Sequence, residues 1–179
     1  MMTEFVHLKA DQTALLVIDV QRALFTRPTP IYNDYKVLAT INALVEQAHL
    51  FGVEVIFIQH SNDSFLKEGT DGWRFHPDLR TSQADLIIHK KQGNAFLGTN
   101  LPGRLEARNV QNLIITGLVT QGCVRATSLG GIDAGYHVYL VQGGHSNYNK
   151  DAPKVIEDRE KELAEAGVIL VTPAQIDFR

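Results

Sequence analysis

Three side chains in this 179-residue chain bring a nucleophile, a carboxylate and an ammonium: Cys123, Asp19 and Lys90. A cysteine thiolate attacks carbonyl carbon, and a carboxylate can take the thiol proton and return it to a leaving group. A neighbouring lysine would favour both anions. Cys123 ends the run Gly117-Leu-Val-Thr-Gln-Gly-Cys123, the pattern of a strand turning into a helix, with Thr120 as the expected N-cap. A thiol in a first helical turn feels the positive end of the macrodipole, which lowers its pKa below the free value of about 8.5. Position alone leaves two readings for each residue. Cys123 is a nucleophile or a buried structural cysteine. Asp19, in an otherwise apolar run, is a general base or a strand-end cap. Lys90 is a charge partner or, with Lys91, part of a solvated turn.

The elements that would position these residues follow from the apolar pattern. Thr13–Val20, Val53–Gln59, Leu86–His89, Asn112–Thr116, His137–Val141 and Val168–Val171 read as strands. Helices are expected over Tyr35–Phe51, Leu101–Arg108, Gly122–Ala134 and Asp151–Ala166. The first carries Val37, Leu38, Ile41, Leu44, Val45 and Ala48 on one stripe, with Asn33 or Asp34 as cap and Gly52 as stop. A connection from His60 to Gln83 carries Gly, Pro, Trp and His, and loops of that length are usually functional. Six strands separated by helices predict an α/β fold, a three-layer α/β/α domain around a six-stranded, mostly parallel sheet. Sites in such sheets lie outside the carboxyl ends of the strands. Asp19 lies at the end of the first strand, Lys90 just past the third and Cys123 beyond the fourth, which predicts that they meet.

Composition narrows the classes. The length fits one domain, residues 1–179, since domains typically hold about 100–200 residues. A single cysteine forms no internal disulfide and suits a reducing, cytoplasmic compartment. Net charge is −3 with scattered basic residues, so neither nucleic acid nor a membrane surface is an expected partner. The start, Met1-Met2-Thr3-Glu4-Phe5, shows no leader pattern, and no apolar run is long enough to span a bilayer. His60, His76 and His89 show no H-E-x-x-H pattern, so no metal and no cofactor is expected, and they read as pocket or core residues. Gly143-Gly-His-Ser is no phosphate-binding fingerprint, and Gly130-Gly131 marks close backbone packing.

With these residues in place, the chain resembles the isochorismatase-like cysteine hydrolases, relatives of nicotinamidase and carbamoylsarcosine amidohydrolase. Leu16-Val-Ile-Asp19-Val-Gln21 with Phe25 is similar to that family's first motif. Lys90-Lys-Gln-Gly-Asn-Ala-Phe96, with Gly98-Thr99 and Leu101, resembles its lysine motif and selects Lys90 over Lys91. Thr116-Gly117-Leu-Val-Thr120-Gln-Gly-Cys123-Val124, with Thr127 and Gly135-Tyr136, resembles its nucleophile motif. Gly72-Trp73 and His76-Pro77-Asp-Leu79 look like the variable loop of one branch. The likeness spans residues 13 to 171. Two positions depart from it, Gly130 and Gly143, where many members carry Asp.

The resemblance implies an isochorismatase-like, Rossmann-like sheet, a cis peptide between Val119 and Thr120, and a homodimer or larger homo-oligomer. It also implies a catalytic triad of Asp19, Lys90 and Cys123. The expected reaction is hydrolysis of a small carboxamide or carbamoyl C–N bond through a Cys123 thioester. The backbone N–H groups of Gly122 and Cys123 would form the oxyanion hole, at about 3 kcal/mol per donor. Members that cleave vinyl ethers lack this cysteine, which favours an amide. Nicotinamidases bind metal through Asp-x-His, where this chain has His60-Ser-Asn-Asp63. Phe25, His60, Trp73, Arg74, Phe96 and Tyr148 are expected pocket walls, and Arg125 a contact for a substrate carboxylate, or else a residue facing solvent or a partner subunit. The competing readings are a ligand-binding or redox-responsive thiol protein on the same fold, and a structural oligomerisation module that has kept the fold while losing activity.

Overall fold

The structure, a computed structural model, describes residues 4–179. Residues 1–3, part of the stretch read for a leader, lie outside it. The central strands are β2 (Thr13–Ile18), β3 (Glu54–His60), β4 (Leu86–Lys90), β5 (Asn112–Leu118), β6 (His137–Ser146) and β7 (Ile169–Val171). They form one sheet in the order β4-β3-β2-β5-β6-β7, and every pairing is parallel. The helices are α1 (Arg22–Phe25), α2 (Asp34–Phe51), α3 (Leu101–Ala107), α4 (Arg125–Asp133) and α5 (Ala152–Glu165).

The unbroken apolar run of β2 follows from its place. All six of its residues are buried, because alternate side chains enter two separate cores. Leu15 and Val17 pack with Phe57 and the stripe of α2 that includes Val37, Ile41 and Val45. Ala14, Leu16 and Ile18 point the other way, into a core with Leu101 and Leu105 of α3 and Leu163 of α5. Each large side chain so buried contributes about 1.5–3 kcal/mol before conformational entropy is counted.

Several elements differ from the sequence expectation for local reasons. A second, two-stranded parallel sheet joins β1 (Val6–Leu8) to β8 (Ile176–Phe178), which three-residue strands could not announce by periodicity. Leu8, Ile176 and Phe178 add to the core beneath α2. Asn33 precedes α2 in a left-handed conformation (φ 53°) and makes no side-chain cap, whereas Gly52 (φ 73°) ends the helix as expected. The helix expected from Gly122 begins instead with a π-type turn, Thr120–Val124, kinked at the non-helical Gly122 (φ −107°, ψ −111°), and α4 continues from Arg125. Gly131 is needed for space: a Cβ there would press on Val138 and Leu113. At Gly130 the Asn94 side-chain amide takes the room a side chain would need.

Candidate active site

Sheet register places the reactive side chains. His60 and Lys90, the last residues of β3 and β4, are direct partners. Ile18 pairs with both Ile58 and Gly117, so Asp19, one residue later, emerges between β3 and β5. Asp19 adopts a left-handed conformation (φ 51°), one that Asp tolerates better than most residues, and its N–H donates to Ile58 O at 3.0 Å. Gly117 allows β5 to pass close by, since a Cβ there would collide with the Ile18 backbone. Cys123 then arrives on the π-type turn that leaves β5.

The three residues singled out in the sequence meet, and His60 meets them too. Lys90 Nζ donates to Asp19 Oδ2 at 2.9 Å and to Cys123 Sγ at 3.2 Å, and lies 3.0 Å from His60 Nδ1. An ammonium has three donors, so these partners use all of them. With Lys90 donating, His60 Nδ1 is the acceptor and the ring is held neutral. Burial and the Lys90 charge both lower the His60 pKa. The Lys90 and Asp19 side chains are 0% and 3% exposed, a buried ion pair whose Asp19 Oδ1 has no hydrogen-bond partner among the described residues. Donor atoms of Asp19, His60 and Cys123 lie within 4.8 Å of one another, spacing that would suit a metal ion. The Lys90 ammonium stands among them and bonds to all three, supplying the positive charge itself.

The Cys123 thiol is not acidified, contrary to the expectation from its helix position. Burial and the Asp19 carboxylate outweigh Lys90 and push it up to about 12, so the resting group is a thiol. Four further expectations are corrected. The cis peptide joins Leu118 to Val119, one residue before the expected bond at Val119–Thr120. Thr120 caps no helix: it is fully buried, with Oγ1 3.0 Å from His145 Nδ1, since the turn it enters is π-type. The Gly122 N–H donates to Val119 O at 3.0 Å and is committed to the turn rather than open for an oxyanion. Arg125 faces α5, where Glu162 accepts from its Nε at 2.8 Å, so its charge is already matched.

The expected walls separate likewise. Phe96 packs on Tyr136 (ring centroids 5.8 Å apart) and into the core near Gly131, so it is a packing residue and not a wall. Trp73 stays beside the site: its indole donates to Ser61 Oγ at 2.9 Å, next to His60. Phe25 and Tyr148 pack with Leu118 and Val119, just ahead of the turn that carries Cys123. Sequence reasoning missed Gln21 as an organiser. Fully buried, it donates to His60 O and Trp73 O (3.0 and 2.8 Å) and accepts from His60 N (2.9 Å), pinning the long connection to β3. Its place two residues after Asp19 was the available signal.

Comparison with known proteins agrees with this architecture. Residues 13–166 match the model of the isochorismatase domain. The chain is 29% identical over 134 residues to YrdC of Bacillus subtilis, an isochorismatase family protein, covering 73% of this chain and 72% of that one. It is 25% identical over 177 residues to the ureidoacrylate amidohydrolase RutB of Stutzerimonas stutzeri, covering 77% and 71%. The crystal structure of an isochorismatase family protein superposes with a TM-score of 0.86 at 28% identity, covering 90% of this chain and 99% of that one.

Proposed function

The chain belongs to the isochorismatase family of hydrolases, and from that premise we propose that it hydrolyses a small carboxamide or carbamoyl compound with Cys123 as nucleophile. The observation that carries this reading is the orphaned Asp19 Oδ1, a buried acceptor beside a protonated thiol, while Oδ2 is held by Lys90.

As Sγ attacks the amide carbon, its proton passes to Asp19 Oδ1 and a C–S bond forms. The carbonyl oxygen becomes an oxyanion, and the Cys123 N–H in the π-type turn is the donor for it, at about 3 kcal/mol. Collapse breaks the C–N bond, and the proton on Asp19 goes to the departing nitrogen as ammonia or amine. Water then attacks the thioester, giving its proton to Asp19 while the C–S bond breaks, and Asp19 returns that proton to sulfur. Acid and amine leave, and the enzyme is restored. Lys90 spends its three donors on Asp19, His60 and Cys123, so its part is to hold the carboxylate and balance the charge that appears on sulfur. His60, bonded to Lys90, is a positioning residue. A redox-responsive thiol is the weaker reading, because such cysteines are exposed and of low pKa, and Cys123 is neither.

Intact-mass analysis of protein quenched during turnover of a small amide tests the reading. An acyl adduct on Cys123, absent in Asp19→Asn, supports it. Turnover with no adduct in either protein, under conditions where deacylation is slow, rejects the thioester.

A further inference from the structure

With Arg125 occupied by Glu162, the expected contact for a substrate carboxylate falls vacant, and a different arginine has the features that suit it. Arg27 lies in the segment after α1, beyond Asp19. Its guanidinium carbon sits 4.4 Å from the centre of the Phe65 ring and 5.6 Å from that of Tyr148. Phe65 is on the segment leaving β3, five residues past His60, and Tyr148 follows β6. All three therefore stand at the carboxyl edge of the sheet, on the side of the candidate active site. Tyr148 also packs with Leu118 and Val119, which lead into the Cys123 turn.

The charge of Arg27 is unmatched. Its Nε is buried with no hydrogen-bond partner, and no carboxylate lies within ion-pair distance among the described residues. The other partly buried arginines, Arg22, Arg125 and Arg159, each have one. Leaving a buried N–H of a cation without an acceptor is costly. Aromatic rings against a guanidinium contact its faces rather than its terminal N–H groups, and the two Nη groups match a carboxylate with two parallel hydrogen bonds.

We infer that Arg27, held by Phe65 and Tyr148, binds the carboxylate of the substrate, which is therefore a small amide or carbamoyl compound bearing a carboxylate group. This rests on the hydrolase reading above and narrows its substrate class. Succinamate and butyramide are probes of equal chain length that differ by a carboxylate in place of a methyl group. Wild-type protein is expected to hydrolyse succinamate with a kcat/KM at least tenfold above that for butyramide. Arg27→Met should abolish the preference, bringing kcat/KM for succinamate down to that for butyramide. Titration of Cys123→Ala protein with succinamate, by calorimetry, reads binding without chemistry, and adding Arg27→Met should weaken it at least tenfold. Hydrolysis of both amides with no preference overturns the assignment of Arg27 and leaves the hydrolase reading intact. Binding of succinamate that depends on Arg27, without hydrolysis of any amide, does the reverse. Succinamate binding that is absent, or that is unchanged by Arg27→Met, overturns the inference.

Discussion

Lys90 Nζ stands 3.2 Å from Cys123 Sγ, yet the thiol is pushed up to about 12 rather than down. The same ammonium is shared with Asp19 and His60, and the buried carboxylate opposes a second anion beside it. On the proposed mechanism the proton stays on sulfur until a carbonyl is in place, and Asp19 is the group that takes it. The consequences can be measured.

Alkylation of the free enzyme should be slow at neutral pH. A thiol near 12 holds about a thousandfold less thiolate at pH 8 than an ordinary cysteine. The iodoacetamide rate of Cys123 should keep rising past pH 10, so long as the fold persists. A rate that levels off near pH 7 would show an ion pair formed in advance.

The Asp19–Lys90 pair is buried, so removing either partner strands a charge. Lys90→Met and Asp19→Asn should each lower stability to urea by about 3–5 kcal/mol. The double variant should lose clearly less than the sum. Additive losses would mean that the two side chains do not interact.

His60 supplies a sign for pH dependence. Its value lies below the ordinary 6.5, mainly through burial and then through Lys90, so the ring is neutral at pH 7 and accepts from Lys90. As pH falls through that lowered value the ring gains a proton, loses its lone pair and repels the ammonium. The acid limb of kcat/KM should therefore lie below pH 6.5. His60→Asn, whose amide oxygen can still accept, should keep most of kcat and remove the His60 contribution to that limb. His60→Ala should lose more than tenfold in kcat. Identical pH profiles in all three proteins would remove His60 from the mechanism.

Arg125 offers a contrast. Its guanidinium is tied to Glu162 at a partly exposed position, so Arg125→Ala should cost less than about 1 kcal/mol. It should leave kcat/KM for succinamate and butyramide unchanged within twofold. A selective loss on succinamate would return the carboxylate contact to Arg125.

The parts of the site that sequence reveals are those fixed by strand ends. Asp19, Lys90 and Cys123 each stand where an apolar run stops, and a parallel sheet places such positions on one edge. What it conceals depends on register and on contacts between distant loops. His60 faces Lys90 only because β3 and β4 pair at those two residues, and no spacing encodes that pairing. Arg27 is distinguished by rings 38 and 121 positions away in the chain. Helix position alone points to an acidified thiol at Cys123, but burial, which sequence does not quantify, is the larger effect here. Thr120 has the chemistry of a cap, but Gly122 bends the turn out of α-geometry and leaves the hydroxyl to His145. Phe96 lies within the lysine motif, six residues after Lys90, yet the chain carries it away to pack on Tyr136.

Ammonia release from a panel of small amides, measured side by side for wild-type protein and Cys123→Ala, bears most directly on the central claim. Wild-type protein should release ammonia from at least one amide. Cys123→Ala, with its melting transition retained, should fall at least a thousandfold below it. Equal release by the two proteins would show that the thiol is not the nucleophile.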